Sequence, residues 1–414
     1  MQITIINGAQ FGDEGKGKVS YYLSKNTDVC IRCNGGSNAE HTFMHLNETY
    51  RFRMLPSGML NGCTCVLTGN VILGVRWFES DINQIEEKLG KVGSQLIISS
   101  NAHLALPEHI DRDSNKKVGS IAAKIGTIGQ GVGPAYADRR LRIGVSLKNY
   151  RTNHTDITAD LPIDYVRQAD LAASFIGDTG RYIAQRAADN PLLNVLIEGS
   201  QGFMLDIVHG TYPYVTSSET SSAGLLHGAG LSFSAVNRNI GVIKPYVTRY
   251  STGAFVSRCK PDDEAMLRER GHEFSYGTEN PMQCGWLDLV SLRYAQHVNG
   301  YTELCLNKLD IMSYLEEIPV CIGYRKNGEI LQTVYDWNEM EQDEYEPYYQ
   351  VLKGWETDIC GLQNFEDLPL AAQDFIRFIE DNIGAPIQII GTGPNYEDVI
   401  DRTMTTEMKR SLVA

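Results

Sequence analysis

The sequence predicts an α/β protein with a large, mostly parallel central sheet that is covered by helices and carries loop and hairpin insertions. Three observations predict this class. Short apolar runs recur along the 414 residues, helical stretches with one apolar face alternate with them, and several runs end in loops that contain Gly, Asp or Asn. Because ligands collect at the carboxyl ends of parallel strands, these loops are expected to form the functional site.

The predicted strands are short and apolar, as expected for strands that are buried on both faces. They cover residues 3–6, 66–67, 95–98, 195–197, 242–247, 304–306 and 387–390. A helix is predicted over residues 371–382, where the apolar side chains share one face: Ala372, Phe375, Ile376 and Ile379.

A β-hairpin at a sheet edge is predicted around Lys326-Asn327-Gly328, because Asn-Gly between two apolar runs is a strong turn signal. Its two strands are expected over residues 320–324 and 329–334. The acidic stretch over residues 339–346 predicts a solvated surface.

Composition limits the classes of function. With 42% apolar and 21% charged residues, the chain can build a large core, and no linker or repeat divides it, so one domain over residues 1–414 is expected. No apolar run is long enough to span a membrane and the N-terminus enters a strand directly, which predicts a cytoplasmic protein without membrane partners. A net charge of −14 disfavours nucleic acid as a partner. Cys30 and Cys33 have CxxC spacing, but they lie in an apolar run typical of packed thiols.

The first functional motif follows the first predicted strand. Residues 7–18 read Asn-Gly-Ala-Gln-Phe-Gly-Asp-Glu-Gly-Lys-Gly-Lys and lead into a helix that is expected to begin near Lys18. Glycines let backbone N–H groups approach an anion, a helix N-terminus adds positive potential, and Lys16 and Lys18 add charge. No Ser or Thr follows Lys16, so this is not a Walker A sequence, and a plain strand-to-helix turn is the alternative interpretation. Asp13 favours chemistry, because a carboxylate beside phosphates must bind a metal ion or move a proton.

The second motif is Asn307-Lys308-Leu309-Asp310, at the end of the apolar run 304–306. A carboxylate at Asp310 can accept hydrogen bonds from both N1–H and the 2-amino group of guanine, a pair that adenine does not offer. Together with the glycine loop, the motif predicts a GTP-binding enzyme.

With these motifs in place, the chain resembles the adenylosuccinate synthetase family over essentially its whole length. The matching blocks lie at residues 10–18, 35–42, 55–58, 125–136, 198–218, 285–288, 307–310 and 392–394.

The resemblance implies a GTP-dependent ligase of purine biosynthesis that joins aspartate to IMP through a 6-phosphoryl intermediate. Adenylosuccinate, GDP and phosphate are the products, and Mg²⁺ is the implied cofactor. Asp13 matches the family's base for N1 of IMP, Lys16 would neutralise charge on the γ-phosphate, and His41 matches an assisting acid. Asp13 and Glu40 are the candidate metal ligands.

The same resemblance assigns two nucleotide sites and a homodimer. The GTP residues are Gly12, Gly15, Gly17, Asn307, Lys308, Asp310, Gly391, Thr392 and Gly393. The IMP residues are Asn38, Thr127, Gln201 and Thr216, with Arg139 or Arg140 reaching the neighbouring subunit's site.

Several residues depart from the family pattern. Where the family has an arginine run that holds aspartate, this chain has Gly277, Thr278, Glu279 and Asn280 in the expected amine-substrate loop and no arginine up to Trp286. Ser37 and Glu40 replace a His and a Gly, and Ile128 and Gln130 replace a Thr and an Arg. Three interpretations stay open: an ordinary aspartate ligase in which Arg249 or Arg258 replaces the lost arginines, a ligase for another amine or purine nucleotide, and an inactive guanine-nucleotide-binding protein. Retention of Asp13 and His41 speaks against the third.

Overall fold

The protein is described by a computed structural model over residues 1–45, 48–115, 123, 125–250, 252–274, 280–338 and 340–404. Its centre is a ten-stranded sheet in which every neighbouring pair is parallel except the last at one edge, β18 with β19. In spatial order the strands are Val399–Asp401 (β19), Ile387–Gly391 (β18), Glu303–Leu306 (β14), Val236–Ile243 (β11), Gln2–Gly8 (β1), Asn194–Gly202 (β10), Val29–Arg32 (β2), Thr64–Leu67 (β5), Leu96–Ser99 (β7) and Ile176–Gly177 (β9). The predicted fold class is confirmed.

A second sheet of five strands packs beside the first. It contains Tyr246–Arg249 (β12), Gln283–Asp288 (β13), Glu317–Lys326 (β15), Glu329–Leu331 (β16) and Glu346–Lys353 (β17). Two further pairs are His41–His45 (β3) with Glu48–Phe52 (β4), and Ile72–Leu73 (β6) with His103–Leu104 (β8). The predicted hairpin is present as β15 and β16, with β16 at the sheet edge, although β16 is shorter than expected.

Helices cover both faces of the central sheet. They are Lys16–Ser24 (α1), Val75–Leu89 (α2), Pro107–Ser114 (α3), Val132–Leu141 (α4), Leu147–Thr152 (α5), His154–Thr158 (α6), Ile163–Ala173 (α7), Thr179–Asp189 (α8), Ser222–Ala229 (α9), Pro261–Gly271 (α10), Leu289–Asn299 (α11) and Leu370–Ile383 (α12). The predicted helix over 371–382 is α12. No helix in the described part of the chain has the length and apolar character that a membrane crossing needs.

Strand alternation explains why both faces need a cover. Ile3 and Ile5 of β1 pack with α8 and α9 in one buried cluster, while Ile6 joins a cluster with α1 and α2 on the opposite face. The third and largest cluster lies between the second sheet, α11 and α12. Burial on both faces leaves the strand ends as the place where polar side chains gather.

The prediction of a single strand over residues 242–247 is wrong. β11 ends at Ile243 in the central sheet and β12 begins at Tyr246 in the second sheet. The backbone N–H of Lys244 leaves the ladder and donates to Oε1 of Gln10 at 3.0 Å, and Pro245 has no N–H to donate. The acidic stretch is exposed at residues 341–344, as predicted, while residue 339 lies outside the described residues.

Candidate active site

The glycine loop joins β1 to α1, which begins at Lys16, two residues earlier than expected. Gly12 and Gly15 have φ angles of 94° and 85°, in the left-handed region that glycine adopts without strain. Glu14 folds back into the loop, where its buried carboxylate accepts from the backbone N–H groups of Gln10 at 3.1 Å and Gly12 at 2.9 Å. The loop is therefore shaped by its own carboxylate as well as by its glycines.

Asp13 lies at the turn of this loop with φ 57°, and its side chain faces solvent. The surrounding protein nevertheless desolvates it and raises the pKa of its carboxyl above the ordinary value, while the nearby Lys244 and Lys16 act in the opposite direction. Among the described residues, no hydrogen bond occupies this carboxylate. It is available to a ligand at the carboxyl ends of the central strands, the region called the cleft below.

The two lysines of the loop have different surroundings. The buried ammonium of Lys16 lies 2.6 Å from the carboxylate of Glu14. Lys18 instead donates to the backbone carbonyls of Gly393 at 2.7 Å and Asp398 at 2.9 Å. Lys18 therefore joins α1 to the loop after β18, a bridging role in place of the direct anion contact that the sequence suggested.

The guanine motif lies beside the glycine loop, as predicted from its position after β14. The side chain of Asn307 donates to the carbonyls of Glu14 at 2.9 Å and Gly15 at 3.1 Å. A Cβ on Gly391 would come within 2.6 Å of Oδ1 of Asn307, so only glycine fits there. Asn307 and Gly391 thus hold the glycine loop and the guanine motif in contact.

Lys308 and Asp310 point in different directions from this motif. Lys308 has φ 57°, and its ammonium donates to the carbonyl of Gly271 at 2.9 Å and to Glu273 at 2.7 Å. The Oδ1 atom of Asp310 is buried and has no hydrogen-bond partner in the described part of the chain. Burial raises the pKa of Asp310. A buried acceptor without a donor is what a site for the N–H edge of guanine needs.

The loop after β18 completes this side of the cleft. Thr392 is fully buried and donates its hydroxyl to the carbonyl of Leu362 at 2.8 Å, so its side chain supports the loop. Gly393 is the acceptor for Lys18 described above.

His41 begins β3 and lies against the glycine loop, since a Cβ on Gly17 would approach its Cβ to 3.0 Å. Its Nδ1 is hydrogen-bonded to the buried carboxylate of Glu198, in the middle of β10. Its Nε2 is buried and, among the described residues, has no partner. Burial lowers the pKa of His41, opposed by Glu198.

Three of the residues assigned to the purine nucleotide lie near the loop that follows β2, since a Cβ on Gly35 would come within 3.1 Å of Oε1 of Gln201 and Asn38 contacts Thr216. The amide of Asn38 donates to the hydroxyl of Thr216 at 3.3 Å. Gln201 has φ 58°, and both polar atoms of its side chain are buried without a partner within the described residues, as is Oδ1 of Asn38. Unsatisfied buried donors and acceptors at one place indicate a polar ligand.

Three other residues assigned to IMP have partners elsewhere in this chain: Thr127, Arg139 and Arg140. The hydroxyl of Thr127 donates to Asp113 at 2.8 Å. Arg139 donates to the carbonyl of Gly69, and Arg140 pairs with Glu219. The two arginines line a separate cavity of about 300 Å³ together with Asn70, Arg142, Glu219 and His227.

The candidate metal ligands differ in availability. Glu40 binds Arg53, with Oε2 3.2 Å from Nε and 3.1 Å from Nη2, and no contact in the described residues joins it to Asp13. The one grouping of three potential metal ligands found among the described residues lies elsewhere, at Glu108, His109 and Asp138. There, His109 already accepts from the backbone of Leu106 and bonds to Asp138.

Gly277, Thr278 and Glu279 of the expected amine-substrate loop lie outside the described residues, and Asn280 is exposed. Arg258 is paired with Glu264 through Nε at 3.1 Å and Nη2 at 3.2 Å. Arg249 is buried, donates to the carbonyl of Ala254 and to Thr211, and lies over the ring of Phe11. Both arginines therefore have protein partners in this conformation.

Sequence reasoning missed three charged residues of the site. Glu198 stood in a recognised block without a role, and the buried pair Lys244 and Glu273, 2.9 Å apart, was not singled out. The available signal was a charged residue inside an otherwise apolar run, at Glu198 after Val195–Ile197 and at Lys244 after Val242–Ile243.

Comparisons with known proteins agree with this geometry. The family model described as adenylosuccinate synthetase matches residues 5–161 and 147–400. The adenylosuccinate synthetase of Desulfitobacterium hafniense strain DSM 10664 / DCB-2 is 36% identical over 431 residues, covering 97% of this chain and 99% of the relative.

Two solved structures are also similar. The fully ligated adenylosuccinate synthetase from Plasmodium falciparum has a TM-score of 0.87 at 33% identity and covers 97% of this chain and 100% of its own. The succinoaminodeoxyadenylate synthetase of cyanophage S-2L, bound to dGMP and dATP, has a TM-score of 0.65 at 21% identity, covers 99% of this chain and 98% of its own, and is informative for the fold alone. With matches over nearly its whole length, the chain belongs to the adenylosuccinate synthetase family of GTP-dependent carbon–nitrogen ligases.

Proposed function

We propose that this chain joins aspartate to IMP at the expense of GTP and forms adenylosuccinate, GDP and phosphate. The observation that carries the proposal is the position of Asp13. Its exposed carboxylate, to which no hydrogen bond is made among the described residues, belongs to the glycine loop that Asn307 holds against the guanine motif. The neighbouring Gly12 lies against Gly202, next to Gln201, whose buried polar atoms have no partner within the described residues. A base between an acceptor nucleotide and a donor phosphate is the arrangement that the first step requires.

In that first step Asp13 accepts the N1 proton of IMP. The electron pair is then available at O6, which attacks the γ-phosphorus of GTP, and the bond from that phosphorus to the bridging oxygen of GDP breaks. Asp13 suits this role because its desolvated carboxyl has a raised pKa and is a stronger base than an ordinary aspartate.

The phosphoryl group carries negative charge that the site must balance. Lys16 and the backbone N–H groups of the glycine loop would bind the phosphates, and Nε2 of His41, which has no partner among the described residues, would donate to a phosphate oxygen when the ring is protonated. Mg²⁺, when bound, would neutralise further charge on the phosphates. Asp13 fits as an oxygen ligand for it, whereas Glu40 does not fit because Arg53 already holds its carboxylate.

In the second step the amine nitrogen of aspartate forms a bond to C6, the C6–O6 bond breaks, inorganic phosphate leaves with O6 and the electron pair of that bond, and the nitrogen loses a proton. We propose that Arg139 or Arg140 serves the IMP site of a neighbouring subunit in a cytoplasmic homodimer. Support comes from their position in a basic surface cavity rather than in their own subunit's cleft. The relatives reported above give no support to another amine or to a protein without catalysis.

The choice of amine is tested by measuring GDP release with IMP, GTP and Mg²⁺ across a panel of amino acids and amines. Aspartate is expected to be the preferred substrate, with a Michaelis constant in the ordinary enzyme range of about 1 μM to 1 mM. A reaction without IMP is the control for simple GTP hydrolysis. Turnover with a neutral or cationic amine and none with aspartate would overturn the proposal.

A further inference from the structure

The imidazole of His41 is held from one side by a single buried carboxylate. Its Nδ1 is hydrogen-bonded to Oε1 of Glu198, and both side chains are almost completely buried. The two residues are 157 positions apart in sequence and come from different sheets, β3 and β10. The backbone of His41 is at the same time in contact with Gly17 of the phosphate loop.

The other contacts of Glu198 decide which atom of this pair carries the proton. Oε2 accepts from the backbone N–H of Ser57 at 3.0 Å and from its hydroxyl at 2.7 Å. Arg32, a buried cation, lies 3.9 Å from Oε1. A backbone N–H can only donate, and a guanidinium has no acceptor, so the surroundings favour an ionised carboxylate that accepts from His41.

It follows that Nδ1 of His41 is the N–H donor to Glu198. The remaining ring nitrogen, Nε2, then faces away from Glu198 and is buried without a partner among the described residues. A ring rotated by half a turn would lose the bond to Glu198 and leave a buried carboxylate oxygen without its donor.

We propose that Glu198 is the positioning residue of the phosphoryl-transfer step, which fixes the Nδ1–H tautomer of His41 and aims Nε2 at the transferred phosphoryl group. This inference rests on the proposed function, because it gives His41 a phosphoryl group to act on. When Nε2 also carries a proton, Glu198 balances the charge of the imidazolium, so the ring can donate to the developing negative charge.

The competing explanation is that Glu198 only anchors the turn at Ser57 and stabilises the fold. The two explanations differ in whether the loss of Glu198 lowers turnover through His41, and the proposal further requires that His41 be the Nδ1–H tautomer. Nitrogen NMR of ¹⁵N-histidine-labelled wild-type protein at pH 8, assigned by comparison with His41→Asn, is expected to show His41 protonated at Nδ1. The opposite tautomer would overturn the proposal without any assay of turnover.

The second experiment is a kinetic double-mutant cycle. Glu198→Gln is expected to lower kcat on the order of 10²-fold, because the tautomer and direction of the imidazole are no longer fixed. KM for GTP and IMP should change by less than about threefold, because the imidazole remains in the site. In the His41→Asn background the same change should add less than about threefold, since Glu198 acts through His41. Glu198→Asp, which keeps the charge, should lose less activity than Glu198→Gln.

Glu303→Gln is the matched control, because Glu303 is also a buried carboxylate in a central strand but pairs with Arg238 at 2.6 Å, away from His41. It should alter stability without the drop in kcat. Fully multiplicative losses from His41→Asn and Glu198→Gln would overturn the positioning role. Wild-type turnover in the same assay tests the proposed function separately. The NMR experiment does not depend on turnover.

Discussion

Asp13→Asn is expected to reduce kcat by at least about 10²- to 10⁴-fold, the contribution of a positioned general base. The amide keeps the size of the side chain but cannot accept the N1 proton of IMP. Asn also tolerates the left-handed φ of 57° at this position, so the loop should keep its shape. Calorimetric titration of the variant should therefore show affinities for GTP and IMP close to those of the wild type.

Two further measurements sharpen this prediction. Asp28→Asn is a matched control, because Asp28 is another loop carboxylate that accepts from the backbone of Asn194 at 2.8 Å, at the amino end of the sheet, and it should leave kcat unchanged. Desolvation raises the pKa of the Asp13 carboxyl. As the pH is lowered, activity should therefore begin to fall at a higher pH than the one at which an ordinary aspartate is protonated. If Asp13→Asn kept more than a few per cent of the rate, Asp13 would be a structural or metal residue and not the base.

Asp310→Asn is expected to raise the KM for GTP by about 10- to 100-fold, because a charge-assisted hydrogen-bond pair contributes about 1.5 to 3 kcal/mol. The acceptor Oδ1 is already buried without a partner among the described residues, so in the wild type guanine would supply the missing donor. The amide should favour xanthosine triphosphate, whose 2-oxo group needs a donor. KM for IMP should not change, since Asp310 lies on the donor side of the cleft.

Asp398→Asn is the control for this change. Asp398 belongs to the neighbouring loop, and its carboxylate accepts from the backbone of Asn395 at 2.8 Å, so its loss should not alter the preference among nucleoside triphosphates. The comparison of GTP, ATP and xanthosine triphosphate as donors measures the effect. Equal use of ATP and GTP by the unmodified protein would contradict guanine recognition by Asp310.

The sequence alone determined the class of fold and pointed to the loops that form the candidate site. Apolar runs such as 304–306 predict buried strands because burial on both faces leaves no room for polar residues. The loops after them gather at one edge because the carboxyl ends of parallel strands lie together. Asn327-Gly328 predicts its hairpin because Gly and Asn accept positive φ, and both residues have it here. These signals are local, so they can be read without the rest of the chain.

Only the tertiary structure decided how the charged side chains pair. Lys18 bridges to Gly393, Lys308 binds Glu273, Glu40 binds Arg53, and Glu198 holds His41. The break at Lys244 that sends β12 into a second sheet likewise depends on Gln10, 234 residues away. A buried charge must find a partner, but its own neighbours in sequence do not say which one, because the partner is brought to it by the folding of distant strands. The sequence could therefore identify Asp13, His41 and Asp310 as candidates, while the contact of His41 with Glu198 and the absence of a hydrogen bond to the Asp13 carboxylate among the described residues are properties of the folded chain.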